Sequence, residues 1–130
     1  MNKKVLVVDD DADVRSFVVT VLEENGYDPL TAEDGVEGLE MIDQARPDLV
    51  ILDVLMPRGS GIRLYHRLKT DDTYKEMPVI MFTGIALKSF LKSQKALAEF
   101  KGGEVPEPDI YLEKPVEPEE LARAVKQKIG

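Results

Sequence analysis

The sequence predicts an α/β fold: a five-stranded parallel sheet with five helices packed over it. Two observations carry this. Short aliphatic runs alternate strictly with longer segments whose apolar residues recur at helical spacing. The runs are also nearly continuous in their apolar character, the mark of strands buried on both faces beneath helical crossovers. Those crossovers are expected to be right-handed.

Val5 to Val8 reads as the first buried strand. Val14, Phe17, Val18, Val21 and Leu22 follow at helical spacing, with Asp11 placed to cap that helix and Gly26, after Asn25, to stop it. DPLTA, residues 28 to 32, is a weaker strand. Asp34 caps a second helix that carries Val36, Leu39 and Ile42 and ends before Pro47. LVIL at 49 to 52 is the next strand, and DVLMPRGSG after it is a loop rich in helix and strand breakers. Ile62, Tyr65 and Leu68 mark the third helix. Pro78 opens the fourth strand, VIMF at 79 to 82. Leu87, Phe90, Leu91 and Leu97 or Ala98 stripe a fourth helix, and KGGEVPEPD, residues 101 to 109, reads as a loop. IYLE at 110 to 113 is the fifth strand. Leu121, Ala124, Val125 and Ile129 stripe a last helix after Pro118.

A length of 130 residues and a hydrophobic fraction of 43% suit one domain spanning 1–130 with a single core. No apolar run approaches the roughly 18 residues of a membrane span, and the four-residue apolar stretch near the N-terminus is too short for a secretory signal. Cysteine is absent, which removes disulfides and thiolate metal sites. A cytoplasmic location and no membrane partner are therefore expected. The net charge of −8 argues against direct binding to nucleic acid and points to a cation, a protein, or both.

Ligands of open parallel sheets gather at the carboxyl ends of the strands. There the first strand runs into Asp9 and Asp10, the third into Asp53, the fourth into Thr83 and the fifth into Lys114. Three carboxylates, a hydroxyl and an ammonium thus share one edge. Helix capping explains Asp11 and Asp34 singly, but not acids arriving at the same edge from separate strands. No glycine-rich phosphate loop follows the first strand. An EF-hand reading of Asp9, Asp11 and Asp13 fails, because Val14 stands where glycine is needed and Thr20 where the bidentate glutamate belongs. Mg2+ fits better: a hard ion held by a few carboxylates and waters. Like charges repel by about 4 kcal/mol per pair at 4 Å and an effective dielectric near 20, and a divalent ion would make such crowding tolerable.

VLVVDDDADVR, AEDGVEGL, PDLVILDVLMPRGSG, MPVIMFTG and YLEKP resemble, in order and spacing, the motifs of the response-regulator receiver domain of two-component signalling. The likeness covers essentially the whole chain. It implies a flavodoxin-like doubly wound sheet of strand order 2-1-3-4-5, and an aspartate that takes a phosphoryl group from a histidine kinase or histidine phosphotransfer protein. By position, Asp53 matches the phosphoacceptor and Asp9 with Asp10 the acid pair. The resemblance implies a Mg2+ site of Asp9, Asp10, Asp53 and Leu55, with Asp10 and the carbonyl of Leu55 as direct ligands and Mn2+ as a substitute. Thr83 matches the switch hydroxyl, Tyr111 the switch aromatic and Lys114 the lysine before a proline, whose peptide is cis in many relatives. A carboxylate is a competent nucleophile toward phosphorus once its charge is offset, and it needs no general base because it is ionised near neutral pH.

The expectation is therefore a phosphorylation-dependent switch that is not an enzyme beyond its own phosphorylation and dephosphorylation. Its output would run through contacts with a downstream protein, unless the chain is the receiver part of a longer regulator. A rival reading is a phosphohydrolase of the haloacid-dehalogenase type. It would use Asp9 and Asp11, but Asp13 stands wrongly at the fifth motif position. Phosphorylation is expected to draw Thr83 toward Asp53 and let Tyr111 turn inward. Leu55 and Ile85, each two residues past a site residue, are apolar and would exclude the hydrolytic water. Ser60 stands where relatives often carry aspartate, and Gly84 keeps access to Asp53 open. The stretch from Thr83 to Lys114 is longer than the resemblance implies, so residues 85 to 109 are a candidate for partner specificity or a tolerated insertion. His66 is read as a non-ligand, and Lys88, Lys92 and Lys95 as a solvated helix face.

Overall fold

The computed structural model describes residues 2–92, residue 95 and residues 106–130. Its elements follow in the order β1 (Lys4–Val8), α1 (Ala12–Glu24), β2 (Asp28–Ala32), α2 (Gly35–Ala45), β3 (Leu49–Leu52), a 3-10 turn (Pro57–Gly59), α3 (Ser60–Thr70) and β4 (Val79–Thr83). Then come α4 (helical over 87–92), β5 (Ile110–Glu113) and α5 (Pro118–Ile129). The five strands form one sheet in the order β2-β1-β3-β4-β5, and every pair is parallel. This is the flavodoxin-like order that the receiver resemblance implied. Leu97, Ala98 and residues 101–105 lie outside the described residues.

Local chemistry sets the element ends. Asp11 accepts from the amides of Asp13 and Val14 at 2.9 and 3.3 Å, so it caps α1 as its position suggested. Asp34 accepts from the Glu37 amide at 2.8 Å and opens α2 in the same way. Gly26 follows α1 at φ 83°, a left-handed angle that a side chain would resist. The central strands β1, β3 and β4 are buried on both faces, and the helices cover the sheet as two layers. Val18, Val21, Leu22, Leu121 and Val125 of α1 and α5 pack on one face. Ile42, Leu64, Leu68 and Phe90 of α2, α3 and α4 pack on the other.

Val36 and Leu87 depart from their expected places; Leu87, expected on the stripe of the fourth helix, is 39% exposed. Val36 is 71% exposed, although its spacing put it on the stripe of α2. The buried face of that helix runs instead through Gly35, Gly38 and Ile42, one step round from Val36. A Cβ on Gly38 would stand only 3.0 Å from the Leu64 side chain and 3.2 Å from Val8. The helix therefore approaches the sheet through glycines, and its apolar Val36 faces water.

Candidate functional site

The register brings the predicted residues to one edge. Val8 and Leu52 are partners across β1 and β3, and the Asp53 amide donates to the Val8 carbonyl at 3.0 Å. Asp9 and Asp53 therefore leave adjacent strands side by side. On the far side, the Lys114 amide donates to the Thr83 carbonyl at 2.8 Å, which ties the end of β5 to the end of β4. The Lys114–Pro115 peptide is cis, as the resemblance implied.

Lys114 is the hub. Its ammonium donates to Asp9 Oδ2 at 2.8 Å and to Asp53 Oδ2 at 3.1 Å. Burial alone would lower its pKa, but the two carboxylates outweigh that and hold it above the ordinary lysine value. Asp9 goes up as well: burial penalises its charge, and Lys114 together with the Asp11 amide returns only part of the loss. The two partners differ because the ammonium has two close carboxylates, whereas Asp9 has one ammonium. The charged form of Lys114 is thus well secured.

The remaining oxygens are accounted for one by one. Asp9 Oδ1 accepts from the Asp11 amide at 2.9 Å, and Asp53 Oδ1 accepts from the Leu55 amide at 2.8 Å. Asp9 is 2% exposed and Asp53 5%. Asp10, by contrast, is exposed, and its carboxylate has no hydrogen bond or ion pair among the described residues. Carboxylate oxygens of Asp9, Asp10 and Asp53 all lie within 4.8 Å of one another, close enough to hold one metal ion. Thr83 is fully buried, and its hydroxyl has no hydrogen-bond partner among the described residues. A buried hydroxyl in that state carries a desolvation cost that a ligand oxygen could relieve.

Tyr111 is half-buried. Its hydroxyl donates to the Ile85 carbonyl at 2.6 Å, and its ring lies 5.4 Å from that of buried Phe90. Two residues further on, Glu113 accepts from the Leu87 amide at 3.1 Å and so caps the start of α4. Leu55 is 55% exposed at the rim, near Gly84. His66 sits on α3, outside the acidic group that could hold a metal. Lys88, Lys92 and Lys95 are exposed, as a solvated face requires.

Three contributors were not anticipated. Arg15 donates to the Asp9 carbonyl at 2.7 Å. Gly61 packs against the Asp53 backbone so closely that a Cβ there would stand 2.2 Å from its carbonyl oxygen. A groove of about 270 Å³ opens beside Lys114, lined by Val14, Phe17, Phe82, Pro115 and Val116 with Asp13 at its edge. The sequence reading placed Val14 and Phe17 on the stripe of the first helix and Phe82 in the fourth strand, and gave no sign of a groove.

Fold and site together define the class, a flavodoxin-like domain with acids, a hydroxyl and a lysine gathered at the carboxyl edge of its sheet. The response regulator receiver domain model matches residues 5–126, and the chain belongs to that family of two-component signalling domains. It is 34% identical over 97% of its length to the phosphate regulon transcriptional regulatory protein PhoB of Escherichia coli, of which it covers 51%. It is 33% identical over the same share to the protein PilG of Pseudomonas aeruginosa, of which it covers 87%. The chain thus spans about half the length of the transcriptional regulators it matches. Among solved structures, the chemotaxis response regulator CheY4 of Vibrio cholerae superposes with a TM-score of 0.82 at 30% identity, covering 99% of this chain and 100% of that one.

Proposed function

We propose that residues 1–130 form one phosphorylation-dependent switch in which Asp53 takes a phosphoryl group from a phosphohistidine of a kinase or phosphotransfer protein. The observation that carries this is the bridging ammonium of Lys114, held at hydrogen-bond distance from both Asp9 and Asp53. A carboxylate oxygen of Asp53 attacks phosphorus. A P–O bond forms, the P–N bond breaks, and its electron pair leaves on the imidazole nitrogen. The Leu55 amide holds the other Asp53 oxygen, so the carboxylate plane is set before attack. Lys114 offsets the gathering negative charge, and the unpaired Thr83 hydroxyl offers a donor to a phosphoryl oxygen.

The donor set fits a hard divalent ion, since an exposed carboxylate without a partner stands beside two buried ones. Asp10, Asp53 and the Leu55 carbonyl would hold Mg2+, or Mn2+ in its place, with Asp9 behind them. The ion would supply positive charge at the phosphoryl oxygens. The phosphohydrolase reading is disfavoured by the sequence, where Asp13 stands at its fifth motif position. The protein works in the cytoplasm, and its output runs through contacts with a downstream protein. In a longer regulator like the PhoB relative, a further domain would carry it.

Acetyl phosphate with Mg2+ should add one phosphoryl group to the wild type and none to Asp53→Asn, read by intact mass. Equal labelling of both proteins would sink the assignment.

A further inference from the structure

Arg15 lies in the second turn of α1, and only 16% of its side chain is exposed. Nη1 donates to the carbonyl of Asp9 at 2.7 Å, while Nη2 reaches Glu33, just past β2, at 3.5 Å. That carbonyl belongs to the peptide joining Asp9 to Asp10. Asp9 is consequently held at each of its acceptors: the carbonyl by Arg15, Oδ1 by the Asp11 amide and Oδ2 by Lys114. Asp10 has nothing comparable among the described residues. The direction of its carboxylate is set by its own backbone, and the peptide before it is the one that Arg15 grips. β1 ends at Val8, and the Asp9 amide makes a last ladder-like bond to the Ala32 carbonyl at 3.1 Å. Beyond that point the guanidinium takes over from the sheet.

We infer that Arg15 is a positioning residue for the cation site, fixing the Asp9–Asp10 peptide so that the exposed Asp10 carboxylate stands beside Asp9 and Asp53. This rests on the metal reading given above. Two effects of Arg15 on a bound cation have opposite signs, and that makes the inference testable. Its positive charge repels a cation, so by charge alone its removal would tighten binding. Its charge-assisted bond fixes a ligand, so by orientation its removal weakens binding. Groups that orient metal ligands typically cost 10–100-fold in affinity when lost, and the lower end is expected for a bond to backbone.

The experiment is a Mg2+ titration of the full chain, followed through the amide resonances of Asp10, Asp53 and Leu55. It compares wild type, Arg15→Met and Glu33→Gln, and thermal melts in chelator establish that each is folded. Arg15→Met should bind Mg2+ about tenfold more weakly. Glu33→Gln, which leaves the bond to Asp9 in place, should stay within about twofold, since a rim charge is largely screened. If Arg15→Met proves too unstable to use, Arg15→Lys keeps the charge, loses the fork, and should still bind more weakly than wild type. Unchanged or tighter binding by the Arg15 variant overturns the inference, as does an equal loss in Glu33→Gln. Failure of the wild type to bind Mg2+ at all would instead overturn the metal reading itself.

Discussion

Gly61→Ala puts the position of the phosphoacceptor candidate under direct strain. Gly61 lies in the first turn of α3, where alanine would ordinarily gain about 1 kcal/mol of helix propensity over glycine. Here its Cβ would stand 2.2 Å from the Asp53 carbonyl oxygen and 2.7 Å from the Val54 Cα. Carbon and oxygen in close contact keep about 3.3–3.6 Å, so β3 and α3 must part by roughly 1 Å at Asp53. Both sides of the contact are backbone, and neither can turn a rotamer to yield. Overpacking of this kind costs about 1–3 kcal/mol, which reverses the sign of the propensity gain. Net of the propensity gain, and at a few degrees per kcal/mol for a chain of this size, the melting temperature should fall by up to roughly 8 °C. Labelling by acetyl phosphate should fall as well, because the Asp53 oxygens move away from Lys114. Gly84→Ala is the control: its Cβ would meet only a Leu55 methyl at 4.0 Å, an ordinary contact, and the melt should not move. A Gly61→Ala protein that melts at or above the wild-type temperature and labels normally would refute the reasoning.

Three further outcomes follow from named contacts. Asp109 accepts from the Val79 amide at 2.9 Å and from Lys128 at 3.2 Å, with Lys69 at 3.9 Å. Burial would raise its carboxyl, but that amide and the two lysines outweigh it and hold it below the usual range. Its stabilisation is therefore complete above the unfolded carboxyl value near 4 and fades as pH falls through the lower folded value. Asp109→Ala should cost about 1–3 kcal/mol in urea unfolding at pH 7, with a smaller gap below about pH 4; a gap that does not shrink would contradict this. Thr83→Ala removes a buried hydroxyl that has no partner among the described residues, so its stability should stay within about 1 kcal/mol of wild type. It should still take the phosphoryl group but lose the beryllofluoride-induced shifts at Ile85 and Tyr111, and identical shifts in mutant and wild type would count against the switch role. Leu55 and Ile85 offer no polar group to orient water, so Leu55→Glu with Ile85→Lys should lose the phosphoryl group faster than wild type; equal decay would end that idea.

The fold was legible because β1, β3 and β4 are near-continuous aliphatic runs and α1, α2 and α5 open at Asp11, Asp34 and Pro118, which can be read directly. DPLTA, IYLE and LVIL map onto β2, β5 and β3 without a shift. The site residues were legible for a related reason: in a parallel sheet, the residue after each strand is sent to one edge. What could not be read depends on backbone. Val36 was put on the stripe of α2 because periodicity weighs side chains, and the face that wins is made of Gly35 and Gly38, which have none. The bond of Arg15 to a carbonyl oxygen leaves no mark in the residue type of its acceptor. The clearance at Gly61 depends on how far α3 stands from β3, a distance set by packing across the whole layer.

The crowded aspartates after β1 look different once each is followed to its contacts. From the sequence, a divalent ion was the agent expected to make them tolerable. The chain itself does most of this. Asp11 is occupied as the cap of α1, and Asp13 lies in the first turn, where the positive end of the helix dipole favours an acid. Asp9 is met by Lys114 at 2.8 Å and by an amide. At an effective dielectric near 20, attraction at such a distance offsets a like-charge repulsion of about 4 kcal/mol at 4 Å. Of the three carboxylates that could hold a metal, only Asp10 is exposed and without a hydrogen bond among the described residues. The affinity for a cation should therefore be set less by the count of three carboxylates than by one free acid and by what Lys114 leaves of Asp53. An ammonium already lodged between Asp9 and Asp53 shares the charge on which a metal would draw. The arrangement favours a site that binds an ion modestly on its own and holds it harder once a phosphoryl group adds oxygens of its own.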